Sequence, residues 1–174
     1  MAVAIRPATL EDARELAEVH LEGWRWGYRD VLPAEYLAGL DLDEWEARWV
    51  GNFTASWADD MTALIAEENG RGVGLIACGT AGPMFGPPPD GAGEVFAIYL
   101  REDSQGTGVG RALFAAGTTA LRDRGFGRAV LWVYEVNDRA RRFYEAAGWR
   151  TDGATGTHEV VGVDYPIVRY VIEL

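Results

Sequence analysis

A chain of 174 residues, 48% hydrophobic and 25% charged, suits one domain, 1–174, that buries its own core without staples. Its 16 basic and 27 acidic residues leave a net charge of −11, the wrong sign for neutralising nucleic-acid phosphates and the right one for attracting amines. A lone cysteine, Cys78, excludes an internal disulfide framework and any cysteine-rich zinc site.

The segment from Met1 to Pro7 carries neither the charged start nor the apolar stretch of a secretory signal. Residues 4–6 read as a short first strand. Thr9 ahead of Leu10, Glu11 and Asp12 is an N-cap followed by acidic residues in a first helical turn. Leu10, Ala13, Leu16, Ala17, His20, Leu21 and Trp24 continue at helical spacing. Pro33 starts a second helix over 34–40, and 42–50 reads as a third, with Trp45 and Trp49 on one face.

From Met61 the pattern turns to strands. Residues 62–67 and 72–79 flank Asn69-Gly70, a hairpin signal. The longest uncharged run, 72–89, is broken by glycines and prolines, whereas a membrane-spanning helix needs roughly 20 mostly apolar residues. These readings together predict a soluble, cytoplasmic protein with no membrane, nucleic-acid or metal partner. A Gly/Pro-rich loop, 80–91, leads into a strand at 94–100. The glycines at 106, 108 and 110 precede a helix with Val109, Leu113, Ala116, Ala120 and Leu121 on one face, which Gly125 and Gly127 stop. Residues 129–134 form an apolar strand. Asn137 caps a helix with Ala140, Phe143, Tyr144 and Ala147 inward, and Gly148 ends it. Residues 160–163 and 167–172 read as closing strands. This order predicts a layered α/β fold rather than a bundle or a β-sandwich.

The most informative segment is Gln105-Gly106-Thr107-Gly108-Val109-Gly110-Arg111. Between a strand and a helix, its backbone N–H groups can converge on an anion at the helix N-terminus, and glycines permit close approach and left-handed angles. A flexible turn would look the same. A Walker loop needs Gly-Lys-Ser/Thr after four intervening residues, which is absent. A Rossmann fingerprint needs Gly-x-Gly-x-x-Gly after an early strand, and this loop has Gly-x-Gly-x-Gly after the fourth.

Gln105-x-x-Gly108-x-Gly110, preceded by Glu94-Val-Phe-Ala-Ile-Tyr-Leu100, resembles the acyl-CoA loop of the GNAT superfamily of N-acyltransferases, in a common bacterial branch. A second block, Leu131-Trp-Val-Tyr-Glu135-x-Asn137-x-x-Ala140-x-x-Phe143-Tyr144-Glu145-x-x-Gly148-Trp149, is similar to that superfamily's strand–Asn–helix–Phe-Tyr–Gly-aromatic segment. Ile5-Arg6-Pro7-Ala8 and Trp24-x-x-x-Tyr28-Arg29 are similar to its N-terminal features, so the resemblance covers essentially the whole chain.

The resemblance implies a mixed, mostly antiparallel sheet of six or seven strands flanked by helices. It also implies direct transfer of acetyl from acetyl-CoA, the cosubstrate, to a primary amine of a small molecule or peptide. It assigns the CoA pyrophosphate to the amides of Gln105, Gly106, Thr107, Gly108, Val109 and Gly110, with Arg111 adding charge. The pantetheine arm falls to the backbone of Ile98, Tyr99 and Leu100, on a strand that splays from its neighbour so that the thioester lies in the gap. Asn137 matches a residue that contacts the cofactor, although a helix cap explains it as well. Tyr144 matches the general acid that protonates the departing thiolate, although a core tyrosine also fits its helix face. Arg139, Arg141 and Arg142 are candidates for the adenosine-end phosphates, with solvated charge the ordinary reading for at least two.

An amine with a pKa of about 10.4 leaves about one molecule in a few thousand neutral at pH 7, so a base acting through water helps supply the nucleophile. Glu94 is the first choice and Glu135 the rival; a solvated carboxylate at a strand end fits Glu94 too. Strand N–H groups near residues 98–100 are the candidate donors to the carbonyl oxygen. Trp24, Trp26, Tyr28, Tyr36, Trp45, Trp49 and Trp57 crowd the N-terminal third. In the superfamily these helices form part of the acceptor pocket, which makes Trp24 and Tyr28 the substrate-binding candidates; helix-to-sheet packing accounts for at least half of the set.

His20 and His158 are isolated in sequence and read as structural. Cys78 reads as a buried strand residue, and a Cys–His acyl-enzyme would need the fold to bring a histidine to it. Residues 151–166 are glycine-rich without a legible role. Two rivals stand beside the transferase: a catalytically weak CoA-binding sensor or regulatory module, and a dinucleotide-dependent oxidoreductase resting on the glycines alone. A homodimer is compatible with the resemblance.

Overall fold

The computed structural model describes residues 3–56 and 58–174, so Trp57 lies outside the described residues. In chain order the elements are β1 (Ala4–Pro7), α1 (Ala13–Gly27), α2 (Ala34–Ala38), α3 (Leu42–Thr54), β2 (Met61–Glu68), β3 (Arg71–Thr80) and β4 (Gly93–Leu100). There follow α4 (Val109–Asp123), β5 (Arg128–Tyr134), α5 (Asp138–Ala146), β6 (Arg150–Val160) and β7 (Val163–Glu173). The strands form one seven-stranded sheet in the order β1-β2-β3-β4-β5-β7-β6. All pairs are antiparallel except β4–β5, which is parallel and holds only Gly93 opposite Ala129 and Glu94 opposite Val130. Beyond those two pairs the strands part, as the resemblance implies.

The apolar stripes of the helices decide which face each covers. On one face, Leu113, Phe114 and Leu121 of α4 pack on Ile76, Val95, Leu131 and Tyr170, a core that runs unbroken across the β4–β5 junction. On the other face, Leu16, Ala17 and Val19 of α1 and Trp45 and Trp49 of α3 cover Ile65, Leu75 and Ala77. A separate cluster, Leu32 and Leu37 with Tyr134, Val160 and Ile167, lies beyond it. The gap between β4 and β5 therefore opens on the α1 side.

One irregularity aims the site. Gly79 pairs with Glu94 and Cys78 with Val95, but Ala77 pairs with Ala97, which leaves Phe96 as an extra residue in β4. This β-bulge shifts the strand's alternation by one. Glu94 thereby shares a face with Ala97 and Tyr99, which belong to the α1 side, while Ile98 and Leu100 pack toward α4.

The C-terminal strands differ from expectation. Within 160–163, Val161 and Gly162 are the hairpin turn, at positive φ (52° and 74°), flanked by the paired Val160 and Val163, and the first strand of the pair runs back to Arg150. As an edge strand exposed on both faces for most of its length, β6 has no hydrophobic alternation to reveal it. Two consecutive positive-φ residues suit the tight turn between antiparallel strands.

Candidate functional site

Gly106 (φ 75°) and Gly108 (φ 94°) both take left-handed backbone angles, and Gly108 is the N-cap of α4. The first backbone bond into the helix runs from the Ala112 N–H to the Gly108 carbonyl, at 3.1 Å. The amides of Val109, Gly110 and Arg111 precede it and belong to the unsatisfied first turn. No acidic residue occupies that turn, so the helix N-terminus presents uncompensated positive potential. The Thr107 hydroxyl donates to the Ser104 carbonyl (2.7 Å) and the Gln105 side chain to the Leu100 carbonyl (3.3 Å), which pins the loop to the end of β4.

This loop floors a cavity of about 690 Å³ that runs along β4 to α5. Ile98, Tyr99, Leu100, Gln105, Gly106, Thr107, Gly108, Gly110, Arg111 and Asn137 all line it, as does Tyr144. The Val109 side chain is in the core, 5% exposed, which leaves that residue only an amide to contribute. The Asn137 side chain accepts from the Ala140 N–H at 3.1 Å, so it caps α5 and borders the cavity at once. Arg139 and Arg142 line the same space, whereas Arg141 turns to the Tyr170 hydroxyl and the Glu135 carbonyl. Two of the three arginines thus face the cavity, where the sequence suggested at most one. Trp26 also lines it, and the Arg139 guanidinium sits 3.4 Å over its ring while donating to Gln105 at 2.9 Å.

Toward the other end of β4 a second cavity, about 710 Å³, is walled by aromatics from α1, α2, α3, β5 and the 80–91 loop. Trp24, Trp45 and Trp49 stand on one side, with Phe85, Trp132 and Tyr134 on the other. Glu94 lines it, 8% exposed, and accepts from the Gly82 N–H at 3.2 Å. Burial pushes its carboxyl up to about 6, opposed by the Gly82 amide and by Arg169. Glu135 is exposed and borders neither cavity.

Both histidines read as structural from the sequence line this second cavity. His20 stacks on Tyr99 with ring centroids 4.5 Å apart, and burial, helped by Arg48, takes its imidazole down to about 3. His158 Nδ1 lies 2.6 Å from the Tyr134 hydroxyl, and burial lowers its pKa. Neither bears charge at neutral pH. Isolated histidines, one on a helix and one on an edge strand, gave no sequence signal of this convergence. Cys78 is fully buried, donates its thiol to the Gly117 carbonyl at 3.6 Å, and is pushed up to about 11; it packs on the α4 side, away from both histidines.

The two cavities share Tyr28 and Tyr99, whose hydroxyls are 3.1 Å apart. Burial raises both tyrosines well above the usual range, and Tyr144 as well. Trp24 borders the second cavity alone and meets Tyr28 edge-on at 5.0 Å. The only carboxylate cluster with metal-like spacing among the described residues, Asp12, Glu15 and Glu67, is bridged by Arg6 through Asp12 and Glu67. No helix among those residues is long and apolar enough to cross a membrane.

The sequence profile of the Acetyltransferase (GNAT) family matches residues 21–149. Among curated proteins, the Bacillus subtilis protein named "Uncharacterized N-acetyltransferase YuaI" is 33% identical over 144 residues, covering 83% of this chain and 78% of that one. The mycothiol acetyltransferase of Thermobispora bispora is 36% identical over 106 residues, covering 55% of this chain but 33% of that protein. Among solved structures, the PaiA N-acetyltransferase of Thermoplasma acidophilum in complex with coenzyme A superposes with a TM-score of 0.77 at 19% identity, covering 100% of both chains.

Proposed function

The chain belongs to the GNAT family of acetyltransferases, and on that premise we propose that it carries acetyl from acetyl-CoA directly to a primary amine. The carrying observation is the pair of cavities toward opposite ends of β4, one floored by the open amides of the 105–110 loop and the other holding a buried carboxylate, that meet at Tyr28 and Tyr99. We take residues 1–174 as one N-acetyltransferase domain.

The loop amides and Arg111 hold the pyrophosphate, where backbone donors and the helix dipole favour negative charge. The β4 edge facing the gap has no strand partner beyond Glu94, so its polar groups are free to pair with the pantetheine amides. Glu94, ionised above about pH 6, takes through water the proton that the acceptor ammonium must shed. The amine lone pair then forms the bond to the thioester carbonyl carbon. Amides of β4 near Tyr99 face the negative charge that develops on the carbonyl oxygen. As the C–S bond breaks, Tyr144 donates its phenolic proton to the thiolate.

Calorimetric titration with acetyl-CoA, with NADH and ATP as controls, tests the cofactor assignment; binding by acetyl-CoA alone is expected. Thiol release over an amine panel tests transfer. Tyr144→Phe should lower kcat about 10- to 100-fold with little change in acetyl-CoA affinity; full turnover from pH 6 to 9 would remove the acid role.

A further inference from the structure

The polar groups of the acceptor cavity fall into an inner and an outer set. Inside, the hydroxyls are spent on neighbours: Tyr28 lies 3.1 Å from Tyr99, and Tyr134 lies 2.6 Å from His158 Nδ1. His20 and His158 are neutral near pH 7. Glu94 is the one buried carboxylate among the described residues, and the Gly82 N–H is its one hydrogen-bond donor there. Arg169, the cation that acts on its carboxyl, is tied to Asp152 at 2.8 Å and to the Pro87 carbonyl at 2.7 Å, and does not line the cavity. The outer set is exposed and of both signs: Arg48 and Asp60, the latter 3.6 Å from Arg124. Charge at the rim is therefore solvated and mixed. Charge inside is one anion among the rings of Trp24, Trp45, Phe85 and Trp132.

We infer that the acceptor is an arylalkylamine: a primary amine on an aromatic body, with no carboxylate beside the amine. The inference rests on the transferase reading above. A cavity of about 710 Å³ has the size and apolar lining that enclose a small organic ligand. Its ring faces supply contact for an aromatic body and favour the ammonium as it enters. The amine must come to Glu94 to shed its proton, so whatever shares its carbon comes there too. A carboxylate on that carbon is carried in beside a buried anion, with Arg48 out at the rim, and the two like charges oppose each other where water is scarce. An aliphatic diamine brings a second ammonium that finds no second buried carboxylate. A peptide brings backbone amides to a wall whose hydroxyls are already paired.

Thiol release at fixed saturating acetyl-CoA is followed with phenethylamine against phenylalanine and tryptamine against tryptophan, and with butylamine, putrescine and trialanine. Wild-type kcat/KM should be at least tenfold higher for the two arylalkylamines than for any of the others. The amino acids have more acidic ammonium groups and hence more free amine, so intrinsic reactivity favours the reverse order and the expected preference belongs to the site. Glu94→Gln also loses the base, so its selectivity is read from binding instead. Calorimetry on the CoA-loaded protein at pH 8 should show phenethylamine bound at least tenfold more tightly than phenylalanine by the wild type, and that ratio should fall at least fivefold in Glu94→Gln. An unchanged CoA affinity verifies that the variant is folded. Wild-type preference for the amino acids, butylamine, putrescine or trialanine overturns the inference, as does a binding ratio that Glu94→Gln leaves unchanged. Acetyl-CoA binding with no turnover of any of these amines overturns the acceptor class alone. Failure to bind acetyl-CoA overturns the functional reading with it.

Discussion

At the scale of single residues, Glu94 combines a functional and a thermodynamic signature. Its carboxyl is pushed from 4.5 up to about 6 by burial, so the folded protein holds that proton more tightly than the unfolded chain does. The stability associated with this group is full below about pH 4.5 and is lost as pH rises through about 6, a deficit of about 2 kcal/mol at pH 8. Glu94→Gln is expected to melt with the wild type at pH 4 and about 4–8 °C higher at pH 8. Its kcat/KM should fall about 100-fold, and the wild-type rise in rate through pH 6 should disappear. A variant that melts lower at pH 8 and keeps the pH–rate rise would refute both halves. The cofactor loop was legible at this scale because glycine and helix-start chemistry are local. The neutral imidazoles of His20 and His158 were not, since their partners Tyr99 and Tyr134 are brought to them only by the sheet.

At the scale of elements, close contacts rather than propensities set the site. A Cβ on Gly23 of α1 would lie 2.6 Å from the Tyr99 Cβ, so helix and strand approach there only because the side chain is absent. Gly23→Ala should cost about 1–3 kcal/mol in urea unfolding and weaken acetyl-CoA binding, because α1 must lift from a wall of that cavity. Arg101, 5% exposed, ties the end of β4 to the same helix: it donates to the Gly72 carbonyl (2.8 Å), to Glu18 (3.0 Å) and to Glu22. Arg101→Met is expected to lose about 2 kcal/mol, chiefly from the stranded carbonyl, since both glutamates are half-exposed and can return to water. A loss under 0.5 kcal/mol in the same unfolding assay would show that the helix docks without it. The sequence foretold the element order correctly up to β6. The bulge at Phe96 left no trace in it, because an extra residue in a strand of mixed apolar residues disturbs no pattern; yet that residue decides the face on which Glu94 stands. The strand β6 escaped for the related reason that an edge of threonines and glycines has no buried side to announce.

At the scale of the whole molecule, every basic side chain is arginine: the chain has sixteen and no lysine. Arginine stays charged throughout the working pH range, so these sixteen side chains contribute a constant positive charge there. The protein also offers no side-chain amine to its own reaction. Prolonged incubation with isotopically labelled acetyl-CoA should leave every internal peptide unlabelled by mass spectrometry, and any internal amine-linked acetyl group would contradict the sequence's chemistry. The net charge of −11 should raise the encounter rate of cationic amines more than that of zwitterions. Raising ionic strength from about 10 mM to 1 M, which shortens the screening length from about 30 Å to 3 Å, should therefore depress kcat/KM for tryptamine several-fold more than for tryptophan.

The two-pair junction between β4 and β5 divides the sheet into leaves of four and three strands that share a core on one face only. In most sheets the amides slowest to exchange with solvent deuterium sit in the central strands and the fastest at the rims. Here the free inner edges of β4 and β5 place fast-exchanging amides in the middle of the molecule. A ligand arm paired along β4 would restore the ordinary order. Occupancy of the gap would thus be written in the exchange map as an inversion, with protection moving from the flanks of the sheet to its centre.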